Sequence, residues 1–231
     1  MNFTARLLAG GLAGGAAVAV CSCGSSAPSE PSAGALTSSV QHAVRNATSV
    51  HVNGSVTDNG APVGLNLGIN RAGDMSGTIS EHGANLNLVS TSGKVFVKVT
   101  PELLKQYRAP SAACSLVCGK WFQLPPKQAS QVTSQLTMAN LTGEAAAGSV
   151  QPKVTETGTG TVNGQPTWVL KGQNGTKVDV MQQSTPYPVQ VTPPGGKNQG
   201  VVTYSKWNSV PQPKAPPSNE VINLSNLESG H

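Results

Sequence analysis

Cysteine is the residue of this chain most open to covalent chemistry, and its four copies come as two close pairs, Cys21/Cys23 and Cys114/Cys118. A thiol can be alkylated, oxidised to a disulfide or used as a metal ligand, and its neighbours decide which. Cys114 and Cys118 enclose Ser-Leu-Val. A metal site would need further ligands at suitable spacing, and His42, His51, His82 and His231 are scattered singly. The pair reads most simply as a small-loop disulfide, with no metal and no cofactor. Nothing else in the chain has the pattern of a catalyst. There is no Gly-x-Ser-x-Gly elbow, no His-Glu-x-x-His and no phosphate loop. The ten carboxylates show no paired spacing, and Asp58, Asp74 and Asp179 fall at or near strand ends and turns, where Asp serves the backbone. The expectation is a protein without catalytic residues.

The first cysteine pair follows a different grammar. Arg6 precedes an unbroken run of Leu, Ala, Gly and Val from Leu7 to Val20, too short to span a bilayer comfortably and ending in small residues. Val20-Cys21-Ser22-Cys23, followed by polar Gly24-Ser25-Ser26, resembles a bacterial lipobox, in which a diacylglyceryl thioether forms on a cysteine and the preceding peptide is cut. Cys23 fits better than Cys21, which would place the branched Val20 at the cleavage position. The expectation is a signal peptide over 1–22, lipidation at Cys23 and a chain anchored outside the cytoplasm on the cell membrane. Each buried acyl methylene adds about 0.8 kcal/mol to such an anchor. The alternative is an ordinary secreted protein with two thiols near its cleavage site.

Composition fits an envelope protein. The 231 residues carry a formal charge of +5, only 11% are charged and 4% aromatic, and Gly (26) and Pro (17) are plentiful. That suits a β-rich extracytoplasmic domain, and no run of Lys or Arg supports a nucleic-acid partner.

The elements follow from periodicity. Residues 23–34 read as a flexible tether. Leu36, Val40, Ala43, Val44 and Ala47 form one helical stripe. Five alternating strands follow at about ten-residue spacing, near 50–58, 63–69, 73–81, 84–89 and 94–99, with Asn59-Gly60, Arg71-Ala72-Gly73, His82-Gly83 and Ser92-Gly93 as turns. Pro101 to Tyr107 reads as a short helix with Pro in its first turn. A second helix is expected from Pro126 through Leu136, and residues 137–149 read equally as its extension or as a loop. A second meander runs from Val154 to Trp207, with turns at Asn163-Gly164 and Asn174-Gly175. Its prolines suggest that the strand near 187–191 is entered from a bend or lies partly at an edge. The Pro-rich, polar stretch 211–231 reads as a tail.

This order resembles the actinobacterial LppX/LprG/LprA/LprF lipoprotein family. The likeness lies in Ser49-Val50-His51 with Gly54, Lys94-Val95-Phe96-Val97 leading into Thr100-Pro101, and Trp121. It continues in Thr161-Val162-Asn163-Gly164-Gln165-Pro166-Thr167-Trp168, Pro188-Val189 and Tyr204-Ser205-Lys206-Trp207-Asn208. The resemblance implies an α+β fold like the periplasmic LolA/LolB carriers, a strongly curved antiparallel β half-barrel over 35–210 with helices covering the concave face. It implies an apolar cavity for the acyl chains of membrane lipids or glycolipids, a monomer, and a membrane transporter as a possible partner. On the first meander the candidate wall residues are Val52, Leu65, Leu67, Ile69, Ile79, Leu86, Leu88, Val95 and Val97. Trp168, Leu170, Val178, Val180, Val189 and Val191 continue the wall, with Leu103, Leu104, Trp121, Val132 and Leu136 above it. Alternation alone is equally consistent with a filled core, which would suit a scaffold or interaction partner instead. The polar strand at 73–81, the scarcity of aromatics, the reduced helical middle and the cysteine loop depart from the family pattern, and each would shrink or close a cavity.

Overall fold

The computed structural model describes residues 30–58, 61–81, 83–143, 154–194 and 200–223. The expected signal peptide, Cys21, Cys23, most of the tether, the Asn59-Gly60 turn, His82, residues 144–149 and the end of the tail lie outside them. Helix α1 spans Ala33–Asn46, so it takes in the last two residues of the expected tether. Ser32 caps it, its hydroxyl accepting from the Ala35 amide at 3.4 Å. Leu36, Val40, Ala43 and Val44 are buried along one face, as the stripe requires. At the other end the Arg71 guanidinium donates to the carbonyls of Arg45 and Ala47, satisfying acceptors that the last helical turn leaves open.

The first meander is β1 (Ser49–Asp58), β2 (Ala61–Asn70), β3 (Met75–Glu81), β4 (Ala84–Thr91) and β5 (Lys94–Lys98). Ser92 and Gly93, both at positive φ, turn β4 into β5. After β6 (Trp121–Gln123), the second meander is β7 (Val154–Val162), β8 (Gln165–Gly172), β9 (Lys177–Met181), β10 (Pro188–Thr192) and β11 (Val202–Ser205). Asn163 and Gly164, again at positive φ, make the β7–β8 hairpin. Both meanders belong to one open sheet, because β11 pairs with β1. The order is β12-β6-β5-β4-β3-β2-β1-β11-β10-β9-β8-β7.

One expectation needs correction, and one pair of alternatives is decided. The sheet is mixed, since β12 (Val221–Asn223) lies parallel to β6, with Val221 opposite Trp121. So the stretch after 210 is not simply a surface tail. Residues 210–214 lie against His51, Asn66, Gly68 and Ser76 on the face opposite the core, and the chain then adds a strand beyond β6. A three-residue strand paired with a segment a hundred residues away leaves no local periodicity to read. In β10 the prolines do not mark an edge, because the strand lies between β9 and β11. They mark the bend before it, and a register shift follows between Pro188 and Gln190.

The remaining helices are α2 (Pro101–Gln106), α3 (Cys114–Val117), α4 (Pro126–Gln135) and α5 (Met138–Thr142). Thr100 caps α2, accepting from the Leu103 amide at 3.2 Å. The segment left undecided by the sequence breaks at Leu136, and Thr137 starts α5 by accepting from the Asn140 amide at 3.0 Å. The Tyr204–Asn208 motif is a structural joint. Trp207 stacks on Tyr187 at 4.9 Å and donates its indole N–H to the Pro188 carbonyl at 2.8 Å. Asn208 accepts from the Thr48 amide at 2.6 Å, and the Tyr204 hydroxyl donates to the Leu141 carbonyl at 3.1 Å. One motif thus fastens the start of β1, β10, β11 and α5 together.

Candidate functional site

The register divides the first meander into rows that cross the sheet. Val50, Ile69, Met75, Ser90 and Val95 face one another in sequence from β1 to β5. Every member of that row is buried, and its apolar members share a packed core with Leu36, Val40 and Val44 of α1. Four residues further along β1 runs the row Gly54, Leu65, Ile79 and Leu86. Its side chains line a cavity of about 1470 Å³, larger than the ~300–1,000 Å³ of ordinary small-ligand pockets. Between the two, Val52, Leu88, Val97 and Phe122 form the cavity's inner boundary, and Gly77 contributes no side chain to that row.

The far wall comes from α2, α4, α5 and the β10–β11 region. Val97 of β5 and Val99 just after it line the same cavity as Val191 of β10. A flat sheet would hold β5 and β10 about 29 Å apart, six spacings of ~4.8 Å, so the sheet curls around the cavity. Helix α4 faces it with Gln128, Gln131, Val132, Gln135 and Leu136, the i, i+3, i+4, i+7, i+8 positions of one face.

Eleven expected wall residues line the cavity: Val52, Leu65, Ile79, Leu86, Leu88, Val97, Leu103, Leu104, Val132, Leu136 and Val191. Nine do not. Leu67, Ile69, Val95, Trp168, Leu170, Val178 and Val180 are buried in the hydrophobic core that also holds Leu36, Val40 and Val44 of α1, and they do not reach the cavity. Val189 sits in the register shift, so that it shares the Asp179 position with Gln190 instead of following Val191 inward. Trp121 pairs with Lys98 on the opposite face, where the Lys98 ammonium lies 5.6 Å from its ring centroid, and Phe122 takes the inward position instead. A filled core and a cavity therefore coexist, at opposite ends of the same strands.

The lining also contains polar residues that a search for apolar walls passes over. Gln128, Gln131, Gln135, Asn140 and Asn174 join it, as do Ser55 and Thr176. Among the described lining residues there is no Lys, Arg or His, and Glu81 is the single carboxylate. An ionic ligand head would find no counter-charge from a cation there. The polar pattern was legible only in hindsight, as three glutamines at helical spacing around Val132.

The other chemical candidates sit apart from the cavity. Cys114 and Cys118 form a disulfide, with Cα atoms 4.7 Å apart. Asp179 is fully buried and holds the Lys177 ammonium at 3.0 Å, with the Thr167 hydroxyl at 3.4 Å. Asp74 sits in a turn and accepts from the Ser92 amide, the Asn70 amide group and the Gln212 amide group. Burial alone would raise its pKa, but those hydrogen bonds outweigh it and hold the carboxyl below its ordinary value. Among the described residues no three His, Cys, Asp or Glu side chains come together as a metal site.

The sequence matches no known family profile and no curated protein. Among solved structures, LprF from Mycobacterium bovis aligns over 82% of this chain and 100% of its own, with a TM-score of 0.56 and 13% identity. The chain has the LprF fold. The Mycobacterium tuberculosis lipoprotein LppX aligns over 79% of this chain and 100% of its own, at 14% identity and a TM-score of 0.48. At these identities the LprF likeness speaks for the fold, and the α+β half-barrel expected from the sequence agrees with it.

Proposed function

We propose that this chain is an envelope lipoprotein, anchored through Cys23, that binds or carries acylated lipids or glycolipids without chemical turnover. The cavity carries the reading. It is large, walled by aliphatic side chains of β1–β5 and roofed by α2 and α4, and almost free of charge. Water in such a space lacks hydrogen-bond partners along most of the wall, whereas each acyl methylene moved into it gains about 0.8 kcal/mol. The carboxamides of α4 suit an uncharged, hydroxyl-bearing head better than an ionic one. The lipobox-like Val20-Cys21-Ser22-Cys23 supports the anchor. A membrane transporter remains the kind of partner that such a carrier would serve.

Native mass spectrometry of the protein from an actinobacterial host tests the cargo. A mass excess lost on organic extraction, with acylated species in the extract, is the expected result. Ile79→Trp, which fills the cavity from its floor, should lower the loaded fraction severalfold. No excess in the parent protein, in a host that makes the natural lipids, overturns the reading.

A further inference from the structure

Between β5, which ends at Lys98, and β6, which begins at Trp121, the chain leaves the sheet and returns beside its point of departure. The Val99 amide donates to the Lys120 carbonyl and the Gly119 amide to the Val99 carbonyl, both at 2.9 Å, so the root is closed. Helix α2 occupies the outward limb, α3 lies on the return, and the Cys114–Cys118 disulfide ties α3 into a tight ring. This excursion holds two of the three large apolar side chains exposed among the described residues. Tyr107 and Leu116 are each 77% exposed, and Val201, the third, lies between cavity-lining Gly200 and Val202. Tyr107 also lines the cavity. A residue that both lines a cavity and stands mostly in solvent marks its mouth. In sequence, the excursion and its two flanking positions carry Lys98, Lys105, Arg108 and Lys120 against the single carboxylate Glu102.

We infer that the 100–120 excursion is a membrane-docking surface, which sets the cavity mouth on an anionic bilayer by inserting Tyr107 and Leu116 between phosphate-bearing headgroups. The chemistry is that of an interfacial anchor. An amphipathic aromatic ring and an aliphatic tip enter the headgroup boundary, while flanking cations meet the negative surface. A protein interface of ordinary size needs a broad patch, and two separated tips do not supply one. The disulfide has a role here, because the short ring it closes restricts how far Leu116 can fold away from water. The inference relies on the cargo reading only for the purpose of docking, since it brings the mouth to a lipid source; the surface itself is measured independently.

The test uses the full chain with Cys21→Ser and Cys23→Ser, so that no acyl anchor forms, and floats it with vesicles of phosphatidylcholine alone or mixed with phosphatidylglycerol. The parent should float with the mixed vesicles and lose binding as salt rises. Lys105→Gln and Arg108→Gln should each weaken binding about fivefold, and Tyr107→Ser with Leu116→Ser should weaken it by at least as much. Leu116→Trp should shift its fluorescence to the blue only with mixed vesicles. Circular dichroism checks that the variants fold, and native mass checks that they keep their cargo. Equal binding to both vesicles, or variants that float like the parent, overturns the docking surface. A parent that holds lipid but does not float overturns docking and leaves the cargo reading intact; one that floats without cargo does the reverse.

Discussion

At the scale of single residues, charge is placed sparingly and each case can be assigned a task. Arg71 closes the end of α1, and Asp179 sits buried with Lys177. Asp74 draws together the β2–β3 turn, the β4–β5 turn and Gln212 of the returning chain. Its pKa lies below the ordinary 3.8, because three hydrogen bonds to the carboxylate outweigh burial. A depressed carboxyl stabilises the fold above its unfolded pKa, and that contribution is lost as pH falls through the lower, folded value. Unfolding by urea should therefore show the parent more stable than Asp74→Asn at pH 6, with the gap shrinking steadily below pH ~4. A gap that stays constant across that range would mean that the carboxylate's charge contributes nothing.

At the scale of elements, the same strand serves two purposes, and identical residue types should respond differently to the same change. Ile69 and Ile79 lie on neighbouring strands with their side chains on the core face. Ile69 is fully buried in the core that also holds Leu36, Val40 and Val44 of α1, while Ile79 is half-buried and lines the cavity. Ile69→Ala leaves a void among fixed neighbours and should cost about 2–5 kcal/mol. Ile79→Ala removes two methyls and a methylene from a half-buried side chain on a wall that already faces open space, and should cost under about 1.5 kcal/mol. Urea midpoints for the two variants decide the matter, and equal losses would mean that the cavity is packed in solution. This contrast also explains how much of the site the sequence disclosed. Alternation identifies the side of the sheet each residue faces, and Leu65, Ile79 and Leu88, expected at the wall, line the cavity in the structure. It carries no information on which end of a strand a helix will cover, so Leu67 and Ile69 were expected there too. Two choices failed for local reasons: the register shift at Val189, and the three-residue β6, too short to show whether Trp121 or Phe122 points inward.

At the scale of the whole molecule, ten of the twelve strands among the described residues announce themselves through alternation and turn residues, since hairpin pairing is written in neighbouring residues. The closing step is not. After β11 the chain crosses beneath β1, β2 and β3, with Val210 so close to Gly68 that a Cβ there would stand 2.8 Å from its Cγ1. It then lays β12 along β6, and Asn219 accepts from the Lys120 ammonium at 3.2 Å. That contact fixes the root of the 100–120 excursion from outside, so the end of the chain holds the mouth of the cavity in place. Ending the chain at Pro217 should remove β12 and the Asn219 carbonyl together. A few backbone hydrogen bonds at ~0.5–1.5 kcal/mol each put the expected loss of stability near 2 kcal/mol. The telling measurement is local. Amide hydrogen exchange should accelerate in Trp121–Gln123 and at the root amides of Val99 and Gly119, while α1 and the row through Ile69 keep their protection relative to the lowered global stability. If β6 and the root exchange as slowly as before, β12 merely rests on the sheet edge, and the excursion is held by its own disulfide and root hydrogen bonds.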